Sequence, residues 1–428
     1  MNRTTSCLLH VSAWSVALLT IVGCGGSSGG SSSGGTGNTS NPTTVTYTFT
    51  GGSPTVVAAK TGTGPYTAVA VTGMQASFAV PVGTTDFAIA YVCPPYQTSS
   101  PTTPITVQEY VDFESTLDAT SFTRECPIAN STPKLGLLTG SVDSSAFPAA
   151  SALSMGFRWG DSAAGTYIYS GLPINGSFQR DGPIGSDRVL MLLYNASNIA
   201  IAAKSFNNQT VPGVLNGGNP AVFGSADATV SRSITYANVP SGFGTPSAHV
   251  SVDDMELANG ALTQYPELPV GVVQSTDYYT IHTSSDLNSA SVHSSVGVNT
   301  FPTGGGAVTF TFPAAWTTVE PVPAALPTLT FDYTGFTGKS NILRSAILFW
   351  KPSGSINTNS IFVQSWIGNK TSLTIPDLSG VANFLAPPSS GTSVLWSKGV
   401  GQGNFPSTTT AANGTSTYVA TSGEYIVP

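Results

Sequence analysis

Charged side chains are scarce in this sequence. Asp, Glu, Lys and Arg make up 8% of the 428 residues, whereas an average soluble domain has roughly 25%. The 21 acidic residues outnumber the 14 basic ones, and the basic residues form no cluster. Because nucleic-acid binding depends on a basic patch that neutralises phosphate groups, this composition excludes a nucleic acid as a partner.

Helix-forming stretches are scarce as well. Runs rich in Lys and Glu are almost absent, whereas Gly occurs 46 times and Pro 30 times. Both residues disfavour helix interiors, and the abundant Thr and aromatic residues suit the half-buried surface of a pleated sheet. No uninterrupted apolar segment of bilayer-spanning length follows residue 24. The sequence therefore predicts an all-β fold.

The first 24 residues have the layout of an export signal. Arg3 supplies positive charge, residues 7–22 are mostly apolar, and a glycine precedes Cys24. The sequence Ile-Val-Gly-Cys, which ends at Cys24, resembles the lipobox of bacterial lipoproteins. The resemblance implies cleavage before Cys24, acylation of that cysteine and attachment to a membrane. The alternative is an ordinary secretory signal that ends near a cysteine.

A flexible tether follows the signal. Residues 25–35 contain only Gly and Ser, and such a segment behaves as a random coil because it cannot bury apolar surface. We therefore assign residues 1–23 to the signal peptide and residues 24–43 to a lipid-anchored linker. The expected location is the cell envelope, on the outer membrane or the cell surface.

From Thr44 onward the chain consists of short apolar or alternating segments separated by turn residues. This spacing is typical of tandem antiparallel β-sandwiches of the immunoglobulin-like type. Thr44–Thr50 alternates strictly, and the continuous apolar run Val189–Tyr194 predicts a strand buried on both faces. Asn175-Gly176 predicts a hairpin turn. The predicted domains are residues 44–133, 134–242 and a larger C-terminal region, 243–428, which is one domain or two.

Two cysteines remain beyond the linker. Cys93 and Cys126 are an even number in an exported chain, which favours a disulfide bond over two buried free thiols. No Cys-x-x-Cys or His-Glu-x-x-His spacing accompanies them. The sequence therefore predicts a disulfide in the domain of residues 44–133, and neither a metal site nor a cofactor.

Acidic residues give two hypotheses for chemistry. Asp253, Asp254 and Glu256 form the densest acidic cluster, and such carboxylates could bind calcium or act as the acid and base of a glycosidase. The simpler interpretation is a solvated strand face. Glu109 lies on the apolar side of an alternating segment, where it is either a buried functional group or an inward-pointing charge on an edge strand.

Aromatic side chains and histidines complete the candidates. Exposed Trp on a β-sandwich can stack on sugar rings, although Trp in an apolar strand is by default part of the core. His249, His282 and His293 follow no ligand spacing, and no catalytic residue is assigned. The tryptophans beyond the linker are Trp159, Trp316, Trp350, Trp366 and Trp396.

The sequence favours a lipid-anchored envelope protein with a non-catalytic role in display, adhesion or glycan binding. The expected partners are the membrane, through Cys24, and a polysaccharide or another envelope protein. One alternative is an envelope hydrolase, similar to a glycosidase, that uses acidic residues around Asp253 and Glu256. Another is a structural envelope component. Hence the sequence favours a protein that is not an enzyme but does not exclude enzymatic activity.

Overall fold

The computed structural model consists of β-sheets. It describes residues 41–95, 106–126, 134–158, 166–186, 188–252, 255–273, 279–288, 292–301, 306–315, 320–331, 336, 342–355, 357–365, 371–403 and 414–428. Within these ranges the chain forms 29 strands and two short 3-10 helices, Leu215–Gly218 and Ser225–Asp227. The all-β prediction is confirmed. None of the described helices could cross a membrane.

The strands are numbered in chain order. The first fourteen are β1 (Thr43–Gly51), β2 (Val56–Thr61), β3 (Thr67–Ala68), β4 (Val71–Thr72), β5 (Gln75–Val80), β6 (Asp86–Val92), β7 (Thr106–Ser115), β8 (Ser121–Cys126), β9 (Leu135–Asp143), β10 (Ala152–Arg158), β11 (Thr166–Leu172), β12 (Gly176–Pro183), β13 (Arg188–Tyr194) and β14 (Ala200–Asn207). The next seven are β15 (Gly213–Val214), β16 (Ala221–Val222), β17 (Val230–Ala237), β18 (Ser247–Val252), β19 (Met255–Gly260), β20 (Gln264–Glu267) and β21 (Tyr279–Asn288). The last eight are β22 (Val292–Phe301), β23 (Val308–Thr311), β24 (Thr328–Thr330), β25 (Ile342–Trp350), β26 (Thr358–Ser365), β27 (Ser372–Thr374), β28 (Ser393–Gly403) and β29 (Gly414–Ile426).

The largest sheet has twelve strands in the order β19-β18-β21-β22-β29-β28-β25-β26-β7-β6-β2-β3. It joins strands from the two ends of the described chain, because β7 pairs in parallel with β26, with Glu109 opposite Ile361. Five of the described pairings are parallel, in a structure that is otherwise antiparallel. The predicted domain boundaries and the immunoglobulin-like topology stay predictions.

A four-stranded sheet, β4-β5-β1-β8, packs on one face of the twelve-stranded sheet. Alternation in β1 sends Val45, Tyr47 and Phe49 into the interface. Side chains of β6 and β25, including Ile89 and Ile347, meet them from the other sheet. This core therefore contains side chains of both the N-terminal strands and β25, which comes from the C-terminal region.

Three ionisable side chains lie inside that interface. Arg124 of β8 contacts Asp112 through Nε at 2.6 Å and Glu114 through Nη2 at 2.5 Å, and all three residues are buried. The Arg124 guanidinium carbon also lies 5.6 Å from the ring centroid of Tyr47. Burial raises the pKa of Glu114 to about 8, against the opposing attraction of Arg124. The cluster therefore consists of one cation between two buried carboxyl groups, and burial favours the protonated form of Glu114.

The predicted disulfide closes the same region. Cys93 and Cys126 are bonded, with their Cα atoms 5.4 Å apart, and both are buried in the core between the two sheets. Cys93 directly follows β6 and Cys126 ends β8. The bond therefore joins the two facing sheets covalently.

The strand β13 is buried on both faces, as its apolar sequence predicts. Leu190 and Leu192 pack on the β18–β22 end of the twelve-stranded sheet. Met191 and Leu193 point the other way, towards the sheet formed by β9, β12, β15 and β16. The sheet β11-β10-β13-β14 is therefore the middle of three stacked layers.

Candidate ligand-binding groove

A groove of about 610 Å³ opens where β25 ends and β28 begins. The chain continues from Trp350 towards β26, and the segment that follows β27 leads into β28. The groove is lined by Phe349, Trp350, Lys351, Ser353, Thr358, Ser389, Ser390, Gly391, Thr392, Ser393 and Leu395.

The floor of the groove is apolar. Phe349 and Leu395 are direct partners across β25 and β28, so their side chains lie side by side on the same sheet face. Leu395 is 52% exposed and Phe349 is half-buried. On the next strand, Ile426 lies opposite Ser393 and is 55% exposed. Together these side chains form an apolar surface that remains accessible.

The walls of the groove are rich in hydroxyl groups. Ser389 and Thr392 share a hydrogen bond of 3.1 Å, and Ser393 donates a hydrogen bond to the exposed carboxylate of Glu424. Gly391 has a φ of +82° and open space where a Cβ would stand. Lys351 is exposed and is the one charged residue among the described residues that line the groove. Apolar floor and hydroxyl walls together suit a ligand that combines C–H faces with many hydroxyl groups.

One wall belongs to the segment between β27 and β28, residues 375–392, which we call the wall loop. Ile375 and Leu378 of this loop are buried in the core on the face opposite the disulfide. Near its middle, the backbone N–H of Leu385 donates a 3.1 Å hydrogen bond to Oε2 of Glu109. Burial raises the pKa of Glu109 to about 7, although this hydrogen bond lowers it.

The position of Glu109 decides between the two hypotheses for it. The strand β7 lies between β6 and β26, in the interior of the twelve-stranded sheet, and Glu109 is 1% exposed. The edge-strand interpretation is therefore wrong. The burial that the alternation pattern predicted is confirmed.

Two of the five tryptophans can be placed. Trp350 and Trp396 are buried, at 4% and 3% exposure, in the core on the β25–β28 face. They belong to the core, so an exposed platform built on these two is excluded. Trp159, Trp316 and Trp366 lie outside the described residues.

The acidic cluster can be placed only in part. Glu256 lies exposed on β19, with Oε2 3.3 Å from Nδ1 of His249 and 3.4 Å from the side-chain nitrogen of Asn259. Asp253 and Asp254 lie outside the described residues, as does Cys24. Glu256 thus has the surroundings of a solvated strand residue.

The histidines His249, His282 and His293 lie on neighbouring strands. His249 and His282 are direct partners across β18 and β21, Nε2 of His282 is 3.2 Å from the Tyr418 hydroxyl, and His293 is 3.5 Å from Asp286. Within the part of the chain that the structure describes, no three His, Cys, Asp or Glu residues are grouped so as to hold a metal ion.

Sequence reasoning missed the groove. Phe349 is the penultimate residue of the strand Ile342–Trp350 and was indistinguishable from a core residue by pattern alone. The run Pro387-Pro388-Ser389-Ser390-Gly391 was recognisable as a loop. What it faces depends on the pairing of β25 with β28, which no local signal encodes.

Comparisons with known proteins leave the family open. No family model and no curated protein matches the chain. Among solved structures, a leucine-rich repeat protein from Bacteroides thetaiotaomicron matches with 9% identity and a TM-score of 0.17. The match covers 37% of this chain and 23% of that protein, so this chain spans about a quarter of its length. A likeness this small carries no argument about fold or function.

Proposed function

We propose that the protein is an exported, lipid-anchored envelope protein that binds carbohydrate in the groove without cleaving it. The observation that carries the proposal is the exposed Phe349–Leu395 floor beside hydroxyl-bearing walls. Sugars present C–H faces that pack on apolar and aromatic side chains, and their hydroxyl groups exchange hydrogen bonds with polar walls. The lipid on Cys24 and the Gly/Ser linker would hold this groove away from the membrane surface.

The residues that line the groove favour binding over hydrolysis. Glycosidases generally need two carboxyl groups on either side of the scissile bond. Lys351 is the one charged residue in the described lining. The nearby Glu424 contacts Ser393 from the next strand and is a single carboxylate.

Truncation of the floor tests the binding site. Phe349→Ala should weaken retention on the polysaccharide that the wild type binds best by about tenfold, equivalent to about 1.4 kcal/mol, because the aromatic face is lost. The full-length protein would be screened on immobilised polysaccharides, with product release measured in parallel. Because Phe349 also packs on the core, Leu395→Asp at the more exposed position is the second variant.

A distant exposed residue provides the control. Leu117 is 80% exposed in the turn between β7 and β8, so Leu117→Ala should leave retention unchanged. Undiminished retention in both floor variants would locate binding elsewhere. Product release would favour the hydrolase alternative, and failure to bind any polysaccharide would favour a structural or protein-binding role.

Anchoring is tested at the lipobox. Cys24→Ala should move the protein from the membrane fraction to the soluble fraction, because the acyl chains supply the membrane affinity, about 0.8 kcal/mol per buried methylene. Cys7→Ala, within the signal, is the matched control and should stay in the membrane fraction. Membrane association that persists in Cys24→Ala would contradict the lipid anchor.

A further inference from the structure

The wall loop is held by apolar packing at its start and by backbone hydrogen bonds at its end. At its start, Ile375 and Leu378 are buried in the core. At its end, the Gly391 N–H donates to the carbonyl of Val427 at 2.8 Å, and the Val427 N–H donates to the carbonyl of Thr392 at 2.9 Å. Between these ends the loop contains no strand, and its internal hydrogen bonds include two tight turns at Leu378–Val381 and Val381–Phe384.

Glu109 supplies a contact to the middle of this loop. Its carboxylate accepts the Leu385 N–H across a sequence separation of 276 residues. The side chain is 1% exposed and lies on the sheet face that carries the apolar side chains of Val111 and Ile361. A buried carboxyl group costs free energy unless its polar atoms are paired. This cost is offset here by a bond to the loop backbone rather than to another strand.

The bond lies close to the groove along the chain. Ser389, the first residue of the loop that lines the groove, lies four positions after Leu385. Two of the three residues between them are Pro387 and Pro388, whose restricted φ angles stiffen the connection. Glu109 itself does not line the groove. Through this hydrogen bond, Glu109 acts on a ligand only indirectly, by way of the position of the loop.

We propose that Glu109 is a positioning residue that holds the wall loop, through the Leu385 N–H, in the place where Ser389–Ser393 form one side of the carbohydrate groove. The part of this inference that concerns the carbohydrate ligand rests on the proposed function. The part that concerns the position of the loop rests only on the Glu109–Leu385 hydrogen bond and on the burial of Glu109.

Two substitutions at Glu109 separate hydrogen bonding from packing. Glu109→Gln keeps a carbonyl oxygen as the acceptor for Leu385, whereas Glu109→Leu fills the apolar site without an acceptor. In full-length protein at one fixed pH, amide hydrogen exchange should be at least tenfold faster in Glu109→Leu at Leu385, Gly391 and Thr392, whose N–H groups are hydrogen-bonded in the structure. It should be within twofold of wild type in Glu109→Gln, and the strands β25 and β28 should exchange unchanged in both.

Binding gives the second readout. Retention on the polysaccharide that the wild type binds best should fall about tenfold in Glu109→Leu and should be preserved in Glu109→Gln. The variant Cys93→Ala/Cys126→Ala is the control for general destabilisation, because the disulfide lies on the other face of the sheet. It should not accelerate exchange selectively in the wall loop.

Two results would overturn the positioning role. One is wild-type exchange at Leu385, Gly391 and Thr392 in Glu109→Leu. The other is acceleration spread evenly over β25, β28 and the loop, which would mark loss of global stability. If the wild type binds no polysaccharide, the proposed function fails, and the exchange comparison still decides whether Glu109 holds the loop.

Discussion

Arg124→Met should lower the free energy of unfolding by about 3–5 kcal/mol, the usual cost of removing one partner of a buried ion pair. The guanidinium contacts Asp112 at 2.6 Å and Glu114 at 2.5 Å, and both acids are almost fully buried. Without Arg124 the Asp112 carboxylate would lose its cation between the two sheets. Methionine keeps most of the side-chain volume, so the expected loss reports charge rather than a cavity. Urea unfolding at pH 6 would measure it.

Two further variants check the electrostatic reason. Burial raises the pKa of Glu114 to about 8, so at pH 6 this group is neutral and Glu114→Gln should cost much less than Arg124→Met. The triple variant Arg124→Met/Asp112→Leu/Glu114→Met removes all three ionisable groups and should recover much of the lost stability. If Glu114→Gln costs as much as Arg124→Met, or if the triple variant is the least stable, the electrostatic account is wrong.

Local pattern predicted individual strands well. The alternation of Thr44–Thr50 corresponds to β1, and the apolar run Val189–Tyr194 lies within the doubly buried β13. Both signals depend on which faces of a strand are buried, and sequence periodicity reports that directly. The all-β class follows because such strands, separated by Gly and Pro, recur throughout the described residues after the linker.

Pairing between strands was not predictable in the same way. Asn175-Gly176 predicted a hairpin, and that prediction is wrong, because β11 pairs with β10 whereas β12 pairs with β9 in a different sheet. The parallel pair β7–β26 joins residues about 250 positions apart. A turn sequence fixes the direction of the chain only locally, while the partner of a strand depends on which distant apolar faces must be covered.

In the candidate site, too, the burial of Glu109 was predictable from the sequence, but its contact with a distant residue was not. Alternation correctly placed Glu109 among apolar side chains, but not beside Leu385, because their contact depends on the loop lying across β7. Arg124 was not identified as a buried group, since an Arg is usually exposed. Its burial depends on the two acids of β7 that face it across the interface. For both Glu109 and Arg124, the partner of a buried charged residue lies elsewhere in the chain. Local sequence patterns therefore could not predict their surroundings.

Removal of the disulfide should have the second large effect. For a crosslink between residues 33 positions apart, the chain-entropy model gives about 4 kcal/mol, because the bond restricts the unfolded chain. Cys93→Ala/Cys126→Ala should therefore unfold at a lower urea concentration than wild type, by an amount equivalent to this loss. Alanine suits the buried apolar surroundings of both sulfurs, so little cost should come from the folded state.

A reducing agent provides the control for that prediction. Wild-type protein unfolded and refolded under reducing conditions should show the unfolding midpoint of the double variant, and the double variant itself should not respond to the reductant. Equal midpoints for oxidised and reduced wild type would contradict a stabilising crosslink. A double variant much less stable than reduced wild type would instead assign the loss to packing around Cys93 and Cys126, because the crosslink is missing from both proteins.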